Sequence, residues 1–250
     1  MLLAQLSDIH AAPDNDNLSR LASALSWLET LRPDVIVLTG DLVDDSWLAG
    51  YQAIAHLLNS KPWPTFILPG NADSHEMMRT IWCNQLWPRT GAMHFVAEVA
   101  GMRLIGLDTT IDGAAAGSVL DHLSWLETQL AAKTTLPTVL FLHHHVFKSG
   151  IPTLDEVMCR GHQELEYLLK NISCPPIAIT SGHVHRPMMS HVAGVPAFIC
   201  GSICPANPLW LGGESVPPAY DPTSLMIHRF TAGTLVSHHI SLAVPIEKNQ

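Results

Sequence analysis

"VIVLTGD", residues 35–41, is a run of apolar and β-branched residues closed by a glycine and an aspartate. Short apolar runs bounded by a turn have the length of a buried strand, and β-branched side chains suit a pleated backbone. Gly40 permits a sharp turn, and Asp41 puts a carboxylate just beyond the strand's carboxyl end. In open α/β sheets that edge is where ligands bind. Working outward, the arrangement recurs. Leu2–Leu6 is followed by Asp8 and His10, Thr65–Leu68 by Gly70-Asn71, and Thr138–Leu142 by His143-His144-His145. Ile177–Thr180 is followed by Gly182-His183-Val184-His185. Five strands thus deliver aspartates, an asparagine and histidines toward one place.

Between these runs lie helical patterns, expected near Leu18–Leu31, Trp47–Leu58, His75–Cys83, Val119–Ala131 and Glu156–Leu169. Two further apolar runs, Phe95–Val99 and Arg103–Leu107, fall before the fourth helix. Beyond Arg186 the chain reads as strands alone: Val195–Cys200, Ser224–Phe230 and Leu235–Ile240, set between Pro/Gly loops. Alternation first and strands later predicts α/β layers with sheet added at the C-terminal end. No internal repeat or linker is visible, so residues 1–250 are expected to form one domain.

With 47% apolar and 14% charged residues the chain has ample core, and nothing suggests disorder. A net charge of −9 with only 13 Lys and Arg argues against a nucleic-acid polymer or a membrane surface as partner, because both need a basic patch. A small anionic substrate stays compatible if metal cations supply local positive charge. Five cysteines (Cys83, Cys159, Cys174, Cys200, Cys204) show no framework spacing and read as reduced thiols, although Cys200 and Cys204 are spaced to share a metal. The opening "MLLAQLSDIH" lacks a basic segment and reads as a first strand, not a signal peptide. No stretch reaches the ~20 apolar residues of a membrane span. The cytoplasm is the expected location.

Each motif alone has a plainer reading. A D-x-H can cap a helix, a G-D pair can be a turn, and G-H-V-H can be one face of a strand. Their consistent place after apolar strands favours a shared site. Mixed imidazole and carboxylate suits Zn, Mn, Fe or Co rather than Ca or Mg alone. Seven ligands exceed one tetrahedral ion but fit two ions sharing a carboxylate. Two ions about 3.5–4 Å apart can clamp a phosphoryl group and generate hydroxide from water, which is the chemistry of phosphate-ester hydrolysis.

The set resembles the calcineurin-like, binuclear metallophosphoesterases, whose pattern is D-x-H … G-D … G-N-H-[DE] … H … G-H-x-H. Here it is matched by Asp8/His10, Gly40-Asp41, Gly70-Asn71-Ala72-Asp73, His143 and Gly182-His183-Val184-His185. The resemblance implies a four-layer αββα sandwich with two mixed β-sheets flanked by helices. It also implies two divalent or trivalent transition-metal ions. One would be held by Asp8, His10, Asp41 and His185, the other by Asp41, Asn71, His143 and His183, with Asp41 bridging. The short chain, the "LHHH" run (142–145) and "GHVHRP…GVPAFICGS" look most like the bacterial class III cyclic-nucleotide and glycerophosphodiester phosphodiesterase group. That likeness implies a small phosphodiester substrate attacked by a metal-activated hydroxide.

The departure is Ala72, where the family has a histidine beside the substrate phosphate. General-acid help is typically worth 10²–10⁴-fold, but Asn71, the ligand, is intact. Electrostatic stabilisation is usually the larger contribution, so an active enzyme is expected. His75, His144 or a bound water are the candidates to supply the proton, and Asp41, Asn71 and His144 are the expected catalytic residues. The expected substrate pocket holds Asn71, Ala72, His75, Cys204 and Asn207, with His191 as a further candidate. The loop "CPANPLWLGGESVPPAY" (204–220) would wall the substrate site or meet another subunit in a homo-oligomer. Trp210 is the tryptophan there that is not assigned to the core. Asp73 is expected to orient neighbouring groups or cap the helix beginning at Ser74, and Asp44-Asp45 reads as a solvated turn. Two alternatives remain: a phosphomonoesterase on a small phosphate, and a non-catalytic metal-binding scaffold of the same fold, which only Ala72 favours.

Overall fold

Alternate residues of the strand Thr138–Phe141 enter two different cores. Val139 and Phe141 join one; Leu140, with Leu142 just beyond, joins the other. A strand buried on both faces reads as an unbroken apolar run, which is why this segment shows no polar alternation. The structure, a computed structural model, describes residues 1–242. The last eight residues of the expected domain, 243–250, lie outside the described residues.

The chain runs β1 (Leu2–Leu6), α1 (Asn17–Leu31), β2 (Val35–Thr39), α2 (Leu48–Asn59), β3 (Thr65–Leu68) and α3 (His75–Ile81). It continues with β4 (Phe95–Val99), β5 (Met102–Gly106), α4 (Leu123–Leu130), β6 (Thr138–Phe141), the single turn α5 (Pro152–Asp155) and α6 (His162–Asn171). Last come β7 (Ala178–Ser181), β8 (Met188–Val192), β9 (Val195–Ile199), β10 (Ser224–Thr231) and β11 (Thr234–Ser241). One sheet has the order β11-β10-β1-β2-β3, the other β4-β5-β6-β7-β9-β8. Both are mixed: β1, β2 and β3 run parallel with β10 antiparallel beside them, and β5, β6, β7 and β9 run parallel between antiparallel β4 and β8.

The larger core joins the two sheets and the first three helices, bringing Leu3 and Val37 together with Phe95, Leu104, Phe141 and Ala178. Helix α1 meets it with Leu21, Ala24, Leu25 and Leu28, the i, i+3, i+4, i+7 stripe of an amphipathic helix. The second core lies between the six-stranded sheet and α4 and α6, through Leu126, Leu130, Leu165 and Leu169. The result is the α/β, four-layer αββα sandwich. Gln5 ties the sheets together in the middle, its Nε2 donating to Thr39 Oγ1 (3.0 Å) and to Ser181 O (3.1 Å). Because β1, β2 and β3 in one sheet and β6 and β7 in the other bring their carboxyl ends together, the five ligand-bearing turns share one edge.

Three expectations are corrected. The fourth helix starts at Leu123, after a 3-10 turn at Leu120–His122, not at Val119. Val119 N–H is instead taken by Arg160 O (3.0 Å), beside the parallel bridge between Ser118 and Arg160. The fifth pattern splits: Cys159 and Arg160 donate to His145 O and Gly117 O, and α6 begins only after Gly161, at φ 78°. The strand β8 is absent from the sequence reading. It is an edge strand of mixed burial, "MMSHV", paired antiparallel to β9.

Candidate metal centre

Asp8 (φ 54°), His10 (47°), Asp41 (52°), His183 (72°) and His185 (57°) all have left-handed backbone. That conformation costs an L residue ~1–2 kcal/mol, and it persists where the surroundings over-determine it. The surroundings do so here. Ile9 and His10 N–H both donate to Asp41 O (2.8 and 2.9 Å), Asp8 N–H to Gly40 O, and Gly182 N–H to His143 O. His183 N–H sits 3.0 Å from both Asp8 carboxylate oxygens. The motif glycines are required by close approach: a Cβ on Gly70 would lie 2.2 Å from Asp41 Oδ1, and one on Gly40 (φ +89°) 2.6 Å from His143 Nδ1.

The side chains converge in two groups that share one oxygen. Asp41 Oδ2 is 3.3 Å from His10 Nε2 and 3.3 Å from His143 Nε2. On the first side, His10 Nε2 is 3.2 Å from His185 Nε2, which is 3.5 Å from Asp8 Oδ1. On the second, His143 Nε2 is 3.2 Å from Asn71 Oδ1 and 3.2 Å from His183 Nδ1. Two donors ~2.1 Å from one ion at tetrahedral angles stand ~3.4 Å apart, so these spacings suit shared ions.

The tautomers point the same way. His143 Nδ1 is 2.6 Å from Thr39 O, which can only accept, so Nδ1 carries the hydrogen and Nε2 turns its lone pair inward. His10 Nδ1 donates likewise to Asp44 Oδ1 at 2.6 Å. Buried lone pairs facing one another need a cation between them. With only protons to serve, burial pulls the His143 and His10 pKa values down, but Asp41 more than compensates and holds them at about 9 and about 10. Burial would raise Asp41, yet the charges and hydrogen bonds of His143 and His10 hold it well below the carboxylate range. His183 is pushed down to about 3 by burial and by its neighbours His143 and His145, which keeps it neutral, as an imidazole ligand must be. The donor set therefore fits transition-metal ions.

The residues singled out in the sequence are distributed unequally. Asn71, Ala72 and His75 line a cleft of about 550 Å³ together with Asp73, Thr110 and Asp112. Cys204 lies apart from that wall, its Sγ 3.3 Å from His185 Nδ1, where with His10 and His185 it forms a third donor cluster. Cys200 does not join it; its thiol is directed at Gln5 O. Asn207 donates to Val184 O (3.2 Å) and, with Trp210, borders a smaller pocket of about 290 Å³. His191 is exposed on β8 and borders neither cleft. His144 is wholly buried against His143 and His183, grouping with them as a donor cluster, with Nδ1 2.8 Å from Thr109 Oγ1 and Nε2 unpartnered. Burial and the neighbouring His143 hold its pKa well below the usual value.

Asp73 orients rather than caps. Its oxygens accept from Leu42 N–H (3.0 Å), Tyr51 Oη (3.0 Å) and Gly70 N–H (2.9 Å), while Ser74 Oγ accepts from Met77 N–H to cap α3. Burial and the nearby Asp41 charge push its carboxyl up to about 6. Asp44 corrects the reading of a merely solvated turn, since its carboxylate fixes His10. Asp44 stands three residues past Asp41, on the turn whose Val43 pairs with Ala11 beside His10.

A family model for calcineurin-like phosphoesterases matches residues 1–187. The chain belongs to that family. It is a hydrolase of phosphoric ester bonds. Over 97% of its length it is 29% identical to a glycerophosphodiester phosphodiesterase, GpdQ, of Enterobacter lignolyticus, and the match covers 92% of that relative. Over 64% of its length it is 32% identical to the 3′,5′-cyclic adenosine monophosphate phosphodiesterase CpdA of Escherichia coli K12, covering 59% of that chain. In fold it is similar to a dimetal phosphatase from Danio rerio, with a TM-score of 0.74 and 11% identity over 96% of both chains. Among the described residues no helix is long and apolar enough to cross a membrane.

Proposed function

We propose that this enzyme hydrolyses a small organic phosphodiester of the cyclic-nucleotide or glycerophosphodiester type. Asp8, His10, Asp41 and His185 would hold one transition-metal ion and Asp41, Asn71, His143 and His183 a second. One observation carries this reading: Asp41 Oδ2 belongs to both donor groups, 3.3 Å from a histidine nitrogen in each. Bound ions would supply Lewis acidity, polarising phosphoryl oxygens and lowering the pKa of water toward neutrality. Imidazole and carboxylate donors favour Mn, Fe, Zn or Co.

The chain's own part is preorganisation. Ala72 N–H donates to Asp41 Oδ1 at 2.8 Å, which leaves Oδ2 for the shared position. Thr39 O and Asp44 hold His143 and His10 with their Nε2 lone pairs inward. The open cleft beside Asn71 receives the substrate, and the names of the relatives support a diester over a monoester. The loop 204–220 would form a further wall of the substrate site: Asn207 donates to Val184 O, between His183 and His185, and Arg186 donates to Asn207 O (2.7 Å). Its exposed Leu209, Leu211, Val216 and Tyr220 offer a subunit contact in a homo-oligomer. Five unpaired cysteines support a reducing compartment, the cytoplasm.

The test reconstitutes the protein with Mn²⁺ and compares bis(p-nitrophenyl) phosphate, 3′,5′-cAMP, glycerophosphoethanolamine and p-nitrophenyl phosphate. Diester turnover at least about tenfold above monoester turnover is expected. Preference for the monoester would make it a phosphomonoesterase. Stoichiometric metal with no turnover at all would make it a scaffold.

A further inference from the structure

The cleft beside Asn71 and Ala72 contains one imidazole, and that imidazole has a proton chain behind it. Asp108, 2% exposed, accepts from Thr110 Oγ1 at 2.7 Å and Thr110 N–H at 3.0 Å through Oδ1, and from Met93 N–H at 2.8 Å through Oδ2. A carboxylate can only accept, so the Thr110 hydroxyl hydrogen goes to Asp108 and the hydroxyl oxygen is left to accept. His75 Nε2 lies 2.9 Å from that oxygen and 3.5 Å from Asp108 Oδ2. Its hydrogen is therefore on Nε2, and Nδ1 has no hydrogen-bond partner among the described residues. The ring is 36% exposed, open to the cleft and to solvent.

The other ionisable groups on this wall are unsuited to giving a proton to a substrate. Asp73 spends both oxygens on Gly70, Leu42 and Tyr51, and Asp112 is exposed at the rim. Histidine is the side chain that exchanges protons near neutrality. A buried carboxylate behind its second nitrogen fixes the tautomer and the ring's orientation, the logic of an oriented acid–base pair.

We propose that His75 is the general acid for the leaving oxygen, with Asp108 and Thr110 as its positioning residues. This assignment rests on the phosphodiesterase reading above. A water-derived oxygen bonds to phosphorus as the bond from phosphorus to the leaving oxygen breaks. The proton on His75 Nδ1 passes to that leaving oxygen, releasing an alcohol and a phosphomonoester. The neutral ring keeps its Nε2–H on Thr110 and regains a proton from solvent. His75 thus does at the start of α3 what the alanine at position 72 cannot.

The experiment uses the whole Mn²⁺-loaded chain, wild type and the variants His75→Ala, His75→Gln and Thr110→Val, on two kinds of diester. The nitrophenolate of bis(p-nitrophenyl) phosphate leaves without a proton; the alkoxides of 3′,5′-cAMP and glycerophosphoethanolamine need one. His75→Ala and His75→Gln should lose about 10²–10⁴-fold on an alkyl diester and less than about tenfold on the aryl diester. In metal-free protein labelled with ¹⁵N-histidine, His75 should show the Nε2–H tautomer, and Thr110→Val should lose that preference. Equal losses on both diesters, or an Nδ1–H tautomer in the wild type, would overturn the assignment. Wild type that turns over only the aryl diester would overturn it while leaving the metal-dependent reading intact. Turnover of no diester would overturn both.

Discussion

Asp41 and Asp44 are three residues apart and differ in kind. Asp41 Oδ2 faces two donor groups, while Asp44 touches only the far nitrogen of His10. Asp41→Ala should therefore empty both groups of metal and reduce kcat/KM by about 10³-fold or more. Asp44→Ala should leave the fold and the second group intact and weaken metal affinity about 10–100-fold, the usual cost of losing a ligand's orienting partner. Metal content by mass spectrometry and turnover of bis(p-nitrophenyl) phosphate measure both. Near-normal metal and turnover in Asp41→Ala would sink the shared-carboxylate arrangement. At this scale the sequence was informative about ligand types, because strand, turn and polar residue are neighbours in the chain. It was silent on Asp44, because a carboxylate in a turn looks solvated until His10, 34 residues away, is seen against it.

The three hairpins, β4-β5, β8-β9 and β10-β11, are closed by one device. Ala100-Gly101, Ala193-Gly194 and Ala232-Gly233 each join two strands with both φ angles positive, at 47° and 81°, 55° and 79°, and 49° and 79°. Such two-residue turns match the twist of a hairpin and favour Asn-Gly or Gly-Gly, since alanine in the left-handed region is strained. Ala232→Asn is expected to raise stability by about 0.5–1 kcal/mol, read as a higher urea midpoint with an unchanged slope. An unchanged or lower midpoint would show that the strain is relieved elsewhere. The Val-Ala-Gly-Val run at 192–195 is thus a turn signal for β8, although "MMSHV" itself has little strand character. The late starts of α4 and α6 carried no comparable signal. Residues 159 and 160 leave the helical pattern to bond His145 O and Gly117 O, and nothing in their own neighbourhood announces those partners.

For the molecule as a whole, two histidines outside the metal cluster tie stability to pH. His228 lies between the sheets with Nδ1 2.8 Å from Ser237 Oγ and Nε2 3.2 Å from Gln5 Oε1; burial, and then the nearby His238, push it down to about 4. His94 accepts from Asp108 N–H (2.9 Å) and stacks on Trp125; burial, and then His122, push it down to about 4. Both folded pKa values lie below the unfolded 6.5, so the unfolded chain gains protons first as pH falls. Their contribution is complete above about pH 6.5 and is lost as pH falls toward 4. Between pH 7 and pH 5 the wild type should lose roughly 2 kcal/mol more per histidine than His94→Gln or His228→Gln does, measured by urea unfolding. Parallel losses in wild type and variants would refute the assignment.

By itself the sequence determined the alternation of strand and helix, the two-sided burial of the central strands, and the residues that follow each strand end. All of these are set within a few residues of one another by periodicity and turn chemistry. The tertiary structure alone decided which oxygen of Asp41 is shared, which nitrogen of each histidine turns inward, and that Asp108 and Thr110 stand behind His75. Those relations join residues from 31 to 175 positions apart. They exist because two sheets pack with their carboxyl ends at one edge, a long-range fact that no local pattern encodes.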